Sequence, residues 1–341
     1  MQSSVLRISS TIAIGCTIAF LLIGCSGLEG SSVAPAVSNT KTLSTAQHFS
    51  TWSPPKNLGS AINTDFEELH SAISADGLSL FFSSNRPGGF GGSFGGDIWV
   101  AHRLTRNGPW GEPQNLGPKI NTSQNEACPE LSPDGHWLFF CSFGLDDKSN
   151  GNIYAAFRKN TSDNLGWEKP FNLGSGVNSD DADNGDPTIF IDSHTGITTL
   201  YFARIYFAGV TDYDIYVSTV GPEGAFRADG THGTFGSAVL VPELSSPFRD
   251  AHPSVRRDGL EIFLSSDRPG SLGGIDLWTS TRRTTHDLWS VPANLGPLIN
   301  SDFDDRGPYL SDDGKSLLFA SNRPGSFGND DFYIMTREKL P

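Results

Sequence analysis

Four carboxylates recur at one place in an imperfect repeat of this 341-residue chain: Glu68, Glu126, Asp250 and Asp305, with Asn184 or Asp186 as the member from the third copy. Each ends a short polar segment, as in AsnThrAspPheGluGlu (63–68), AsnThrSerGlnAsnGlu (121–126) and AsnSerAspPheAspAsp (300–305). Two residues further on, the alignment puts His70, Cys128, Asp186, His252 and Gly307 in a second column. If the copies form a ring, these residues gather at the mouth of its central channel, and three chemistries follow. Converging carboxylates can hold Ca²⁺, which takes about six to eight oxygen ligands. The oxygen-rich segment 180–186 then offers Asp181, Asp183 and Asp186, although Gly185 lacks EF-hand spacing. A facing pair drawn from Glu68, Glu126, Asp186, Asp250 and Asp305 could instead cleave a glycosidic bond, the proton donor raised by its like-charged neighbours. His70 and His252 with a carboxylate have the residue types of a zinc site, but they fall in the first and fourth copies, which are not neighbours in a ring. Against all three stands an architectural reading, in which acids at strand starts bond loop amides and stay solvated.

Other strings carry weaker chemistry. The Gly-rich segment 86–97 precedes a strand, whereas a phosphate-cradling loop precedes a helix. The Gly91 to Gly95 match to a nucleophile elbow lacks the strand-to-helix turn that the elbow needs. Arg86, Arg268 and Arg323 recur with Asp97, Asp276 and Asp331 at the two ends of one loop, which predicts an ion pair within each blade. Phe90, Phe94, Phe303 and Phe327 fall in loops of the same face and could stack on sugar rings. Cys128 and Cys141 flank a tight turn at 132–135, so a hairpin brings them near each other either as a disulfide or as two buried thiols.

The elements that must position these residues are read from the strings around them. TrpSerProProLysAsnLeuGly (52–59) returns at 110–117, 167–174 and 289–296, with a weaker copy from Phe235. A Ser-x-Asp-Gly turn at Ser74, Ser132 and Ser311 returns as ArgArgAspGly (256–259) and, degraded, at 192–196. Each turn is followed by an apolar run of strand length and then by a second short strand such as AspIleTrpVal or AspPheTyrIle. Four strands per copy in five copies predict an all-β, five-bladed propeller with four-stranded blades. The first Trp string has no copy before it and the last strand has no Trp string after it, so the last blade is closed by the N-terminal strand. The long loops leading into the inner strands and joining second to third strands share one face, and the extra stretch 221–234 belongs to the third copy.

SerAsnArgProGly (84–88, 321–325), SerAspArgProGly (266–270) and ProAspGly (133–135) resemble the WD40-like propeller repeat of the TolB translocation protein and many bacterial envelope proteins, over about residues 50–338. That resemblance implies a fold rather than an activity, since the repeat builds blades in enzymes and binding modules alike. Five-bladed propellers include arabinan-cleaving and fructan-processing enzymes, whose motifs are not matched here.

Composition and the N-terminus set the compartment. Gly 38 and Pro 21 demand frequent turns, and 37% hydrophobic residues suffice for a core. A net charge of −14, or −15 without residues 1–24, disfavours nucleic acid and anionic lipid as partners. Residues 1–24 read as an export signal whose apolar run, about a dozen residues long, is short of the roughly 20 needed to span a bilayer. Leu22, Ile23, Gly24 and Cys25 resemble a bacterial lipobox, which implies lipidation at Cys25, and Ser26 in the next position favours the outer membrane if the host is Gram-negative. The expected plan is a signal peptide (1–24), a flexible tether (25–48) and one propeller (49–341). The leading functional expectation is a lipid-anchored envelope module with no cofactor, or with Ca²⁺, that binds an envelope protein or glycan on its acidic long-loop face. The alternative is a surface glycoside hydrolase or polysaccharide lyase.

Overall fold

A computed structural model describes residues 49–91, 96–146, 150–208 and 212–340. The export signal, Cys25, the rest of the tether and Phe94 lie outside the described residues.

Strand β1 (Lys56–Asn57) precedes the first blade, which comprises β2 (Glu68–Ile73), β3 (Ser79–Ser84), β4 (Asp97–His102) and β5 (Gln114–Asn115). The second holds β6 (Glu126–Leu131), β7 (Trp137–Ser142), β8 (Asn152–Phe157) and β9 (Phe171–Asn172). The third holds β10 (Ala182–Ile191), β11 (Thr198–Tyr206), β12 (Asp214–Val220) and β13 (Val239–Leu240). The fourth holds β14 (Asp250–Val255), β15 (Glu261–Ser266), β16 (Asp276–Thr281) and β17 (Ala293–Asn294). The fifth holds β18 (Asp305–Leu310), β19 (Ser316–Ser321) and β20 (Asp331–Thr336), and its fourth strand is β1. Lys56 faces Ile334 and Asn57 faces Tyr333, so the N-terminal strand closes the ring as the repeat order predicts.

The core sits between blades. Phe82, Trp99 and Leu80 of the first blade pack with Phe332, Leu318 and Tyr309 of the fifth, and an equivalent cluster fills each of the other four seams. The repeated AsnLeuGly string is a hydrogen-bond device. Asn57 Oδ1 accepts from Gly59 N–H and from Asn63 Nδ2, both at 2.8 Å, while Asn63 bonds both backbone groups of Phe332. The same six-residue spacing pairs Asn115 with Asn121, Asn172 with Asn178 and Asn294 with Asn300, lacing each outer strand to the next blade's lead-in loop. In the third blade Ser245 Oγ takes over this role at Ile215 N–H, which explains why its string is the weak copy. The Ser-x-Asp-Gly turns are likewise built from the side chain inwards: Ser74 Oγ donates to Asp76 Oδ1 (2.6 Å), and Gly77 takes φ 74°.

Candidate functional site in the central channel

The five inner strands share one irregularity. Their pairing with the second strand slips between Leu69 and Ser71, Ala127 and Glu130, Gly185 and Thr188, Ala251 and Ser254, and Arg306 and Tyr309. At each slip one residue has a left-handed backbone: His70 (φ 50°), Cys128 (57°), Asp186 (54°), His252 (51°) and Gly307 (62°). For the four non-glycines this costs roughly 1–2 kcal/mol each, and no other described non-glycine residue adopts it. Pro129, Pro187, Pro253 and Pro308 follow directly in four of the five strands, and a proline has no N–H to offer the interrupted ladder.

The bulges separate the two columns. Glu68, Glu126, Asp250 and Asp305 are 0% exposed and do not meet at a mouth. Each folds back on its own lead-in loop: Glu68 Oε2 accepts from Thr64 N–H (2.8 Å), Glu126 Oε2 from Thr122 N–H (2.6 Å), Asp250 Oδ2 from Ser246 N–H (2.6 Å) and Asp305 Oδ2 from Ser301 N–H (2.6 Å). In the third blade Asn184 takes this position and bonds Arg204, so Asp186 belongs to the second column alone. The repeated arginines pair with these acids rather than with the loop aspartates. Arg86 Nη2 reaches Glu68 at 2.9 Å, and Arg268 and Arg323 pair with Asp250 and Asp305 in the same way. Asp97, Asp276 and Asp331 instead accept from Asn115, Asn294 and Asn57 and from amides of their own loops. The reason is geometric: a carboxylate at the strand start and an arginine after the second strand face each other across the antiparallel pair. Burial pushes the carboxyls of Glu68 and Glu126 up from their ordinary value.

The second column does converge. Ring nitrogens of His70 and His252 and a carboxylate oxygen of Asp186 all lie within 4.8 Å of one another. The imidazoles, from blades one and four, approach to 4.7 Å between centroids at 37°. Adjacency around the ring therefore does not limit contact, because the inner strands are close across it. His252 Nε2 stands 3.6 Å from Asp186 Oδ2, which also accepts from His252 N–H at 3.1 Å. Asp186 Oδ1 accepts from Cys128 Sγ at 2.8 Å. Nδ1 of both histidines is buried without a hydrogen-bond partner, a cost of about 1–3 kcal/mol for each such atom. Burial, then the neighbouring His252, pushes His70 down to about 3, and burial followed by Arg249 and Arg306 pushes His252 well down. Burial raises the Cys128 thiol well above its ordinary value. Both Cys128 and Cys141 are free thiols.

Asp181, Asp183 and Asp186 do not form one oxygen cage: Asp181 accepts from Ser179, Asp183 from Gly151 N–H (2.7 Å), and Asp186 faces the channel. Beneath the ring, Tyr309 of the fifth blade bonds Ile73 O of the adjoining first blade (2.7 Å), and Glu130 accepts from Thr188 Oγ1 and Ile189 N–H, both at 3.2 Å. Burial pushes Glu130 up to about 8. The cavity that Glu130, Tyr309 and the second column line has about 30 Å³ of free space, room for an ion or a water and too small for a sugar ring.

Around the mouth, loops of adjacent blades interlock at glycines. A Cβ on Gly91, Gly273 or Gly328 would fall within 2.0–2.3 Å of Ser123, Phe303 or Phe66 backbone atoms, so only glycine allows the approach. Phe90, Phe303 and Phe327 stand exposed at these seams, joined by Phe66 and Phe248 of the lead-in loops, at 39–51% exposure. The sequence pattern missed Phe66 and Phe248, although both sit just before a column acid.

These features define an all-β, five-bladed propeller with a polar cluster in its channel and an aromatic rim at one mouth. No protein-family model and no curated protein matches the chain. Among solved structures, the catalytic domain of a GH62 α-L-arabinofuranosidase from Coprinopsis cinerea is similar, with TM-score 0.54 and 15% identity over 84% of this chain and 96% of that one. An α-L-arabinofuranosidase from Lactobacillus brevis gives 0.52 and 15% identity, covering 82% and 91%. A putative TolB from Agrobacterium tumefaciens gives 0.46 and 13% identity, covering 86% and 99%. At these identities the likeness is one of fold.

Proposed function

We propose that this propeller is a glycan-binding module of the bacterial envelope, exported and anchored through a lipid on Cys25, that holds its ligand on the long-loop face. The observation that carries the reading is the rim of Phe66, Phe90, Phe248, Phe303 and Phe327, apolar rings left exposed, all but Phe248 at glycine-locked seams. Aromatic faces on a fixed scaffold match the C–H faces of sugar rings, and clustered exposed apolar residues mark binding surfaces. Carboxylates and amides of the same loops, such as Glu67 and Asp304, supply polar partners for hydroxyls.

Hydrolysis of the bound glycan is a second reading. It is favoured by the fold shared with arabinofuranosidases and by Glu130, a proton-holding carboxyl at neutral pH, lining one cavity with Asp186. The small volume of that cavity supports binding over cleavage.

The full chain, presented to an array of envelope and plant polysaccharides, is expected to capture one glycan class and to lose it at least tenfold in a Phe66→Ala/Phe303→Ala double variant of unchanged melting temperature. Capture that ignores the double substitution overturns the rim assignment. Release of reducing sugar, lost in Glu130→Gln, establishes the second reading instead. Resistance of the mature N-terminus to detergent-free extraction, abolished by Cys25→Ser, tests the anchor.

A further inference from the structure

We infer that His70, Asp186 and His252 form a binding site for one divalent first-row transition metal ion at the floor of the long-loop mouth, held by two imidazoles and one carboxylate with an open position facing the mouth. This goes beyond the glycan reading and does not depend on what the rim holds.

Three observations carry it. The first is the donor set: three potential ligands from three blades, far apart in sequence, have ligand atoms within 4.8 Å of one another. In a tetrahedral site with bonds of about 2.0–2.1 Å, neighbouring ligand atoms are roughly 3.3 Å apart. The 3.6 Å between His252 Nε2 and Asp186 Oδ2 is close to that edge, and a side-chain adjustment on the order of 1 Å closes the rest. The second is independent of the clustering. His252 is 7% exposed, yet its Nδ1 has no hydrogen-bond partner, and Nδ1 of His70 is in the same state. A histidine kept for packing in a folded core satisfies such an atom; with Nδ1 unengaged, no hydrogen bond commits either ring to one tautomer, and each keeps a nitrogen lone pair to offer an ion. The third is the support behind the ligands. Cys128 Sγ donates to Asp186 Oδ1 and so fixes the carboxylate with its other oxygen turned to His252, as the outer partners of metal-bound carboxylates do.

The ligand chemistry selects the ion. Imidazole suits zinc, iron, nickel and copper, whereas Ca²⁺ and Mg²⁺ demand mostly oxygen, of which this cluster offers a single carboxylate. Arg306, the cation nearest the cluster on the fifth inner strand, is engaged by Asp330 through both Nε (3.3 Å) and Nη2 (2.5 Å), which offsets its charge. The cavity volume accommodates an ion.

The full chain, stripped with a chelator, is titrated with Co²⁺ and then Zn²⁺. One equivalent of Co²⁺ is expected, with visible d–d absorption that Zn²⁺ bleaches, and the melting temperature rises with either ion. His70→Ala and His252→Ala are each expected to weaken binding at least 100-fold. Cys128→Ala keeps the one-to-one stoichiometry with affinity lowered about 10–100-fold, as loss of an outer partner does. Absence of the cobalt bands in a stripped chain that melts as a folded propeller overturns the inference. So do bands that persist in the His70→Ala/His252→Ala double variant, and so does binding of Ca²⁺ in place of Co²⁺. If the alanine variants fail to fold, His70→Gln and His252→Gln, checked by their melting curves, give the same reading: unchanged cobalt affinity refutes it.

Discussion

Glu68 and Glu126 form a matched pair whose substitution separates an architectural role for the acid column from a functional one. Both are fully buried. Both accept through Oε2 from a loop amide and through Oε1 from a threonine hydroxyl (Thr64 or Thr122) and a serine hydroxyl (Ser84 or Ser142). They differ in one respect: Glu68 has Arg86 at 2.9 Å, whereas Gly144 stands at the corresponding place in the second blade. In Glu126→Gln the new amide nitrogen sits where Oε1 was and donates to both hydroxyls, which reverse roles, while the remaining oxygen keeps the Thr122 amide. The expected cost is about 1 kcal/mol, since every contact is kept and only the two hydroxyl hydrogens lose their acceptor. In Glu68→Gln the same nitrogen points at Arg86. That guanidinium keeps Ile62 O (2.7 Å) and Ser84 Oγ (3.1 Å) but loses its hydrogen-bonded counter-charge, leaving only the weaker influence of Glu112 among the described residues. Removing one member of a buried pair costs about 3–5 kcal/mol, and the surviving bonds put this case near the lower end. At roughly 2 °C per kcal/mol for a domain of this size, Glu68→Gln is expected to melt about 6 °C lower and Glu126→Gln no more than about 2 °C lower. A cycle with Arg86→Ala in differential scanning calorimetry isolates the pair, the double variant losing less than the sum of the singles. Equal shifts for the two glutamates, or a larger one for Glu126, refute the reasoning.

Two further outcomes follow from the fold. Glu130, at about 8 in the fold against an ordinary 4.5, holds its proton in the folded state across that window and releases it on unfolding. It therefore lowers stability as pH rises from about 4.5 to 8, by at most about 1.4 kcal/mol per unit and less where solvent screens it; urea titrations should show this slope flattened in Glu130→Gln, and an unchanged slope sinks the assignment. Removing residues 1–48 is expected to leave the melting temperature unchanged, whereas removing residues 1–57 deletes β1 together with Phe49 and Trp52, whose rings lie 3.9 and 4.3 Å from the Arg337 guanidinium. The longer truncation should unfold non-cooperatively in a thermal melt, and a cooperative transition matching the shorter one would show that closure contributes nothing.

The blades were legible because their repeated strings are the hydrogen-bonding devices themselves. Asn57 with Asn63, and Ser74 with Asp76, must recur wherever an outer strand is laced or a turn tightened, so the repeat and the architecture are one signal. The arginines were legible as structural but assigned the wrong partner. Arg86 and Asp97 close the same loop in sequence, while Arg86 and Glu68 face each other only once the strands pair and Glu68 is seen opposite Ser84. The phenylalanine rim was half legible: the loop pattern picks out Phe90, Phe303 and Phe327, whereas it passes over Phe66, in the same setting as Phe303, and Phe248, although both are exposed.

The residues of the channel cluster stood out as a second column, but strand alternation hid that they, and not the acids, reach the channel. With a period of two, residues i and i+2 share a face, so Glu68 and His70 appear to point the same way, as do Asp250 and His252. On that reading the more numerous acids claim the channel. The slip between Leu69 and Ser71, and its four counterparts, breaks the period at one residue per inner strand. The acid stays inside its blade, bonded to its own loop, and the residue two places on turns to the channel with a positive φ. Five bulges at one level, four of them imposing left-handed geometry on His, Cys, Asp and His, are a cost repeated around the ring. A structural pattern that merely closed the channel would tolerate glycine at all five positions, as it does at Gly307. The polar side chains at the other four are thus the part of the channel that closure alone does not explain, and they are the residues that meet at its centre.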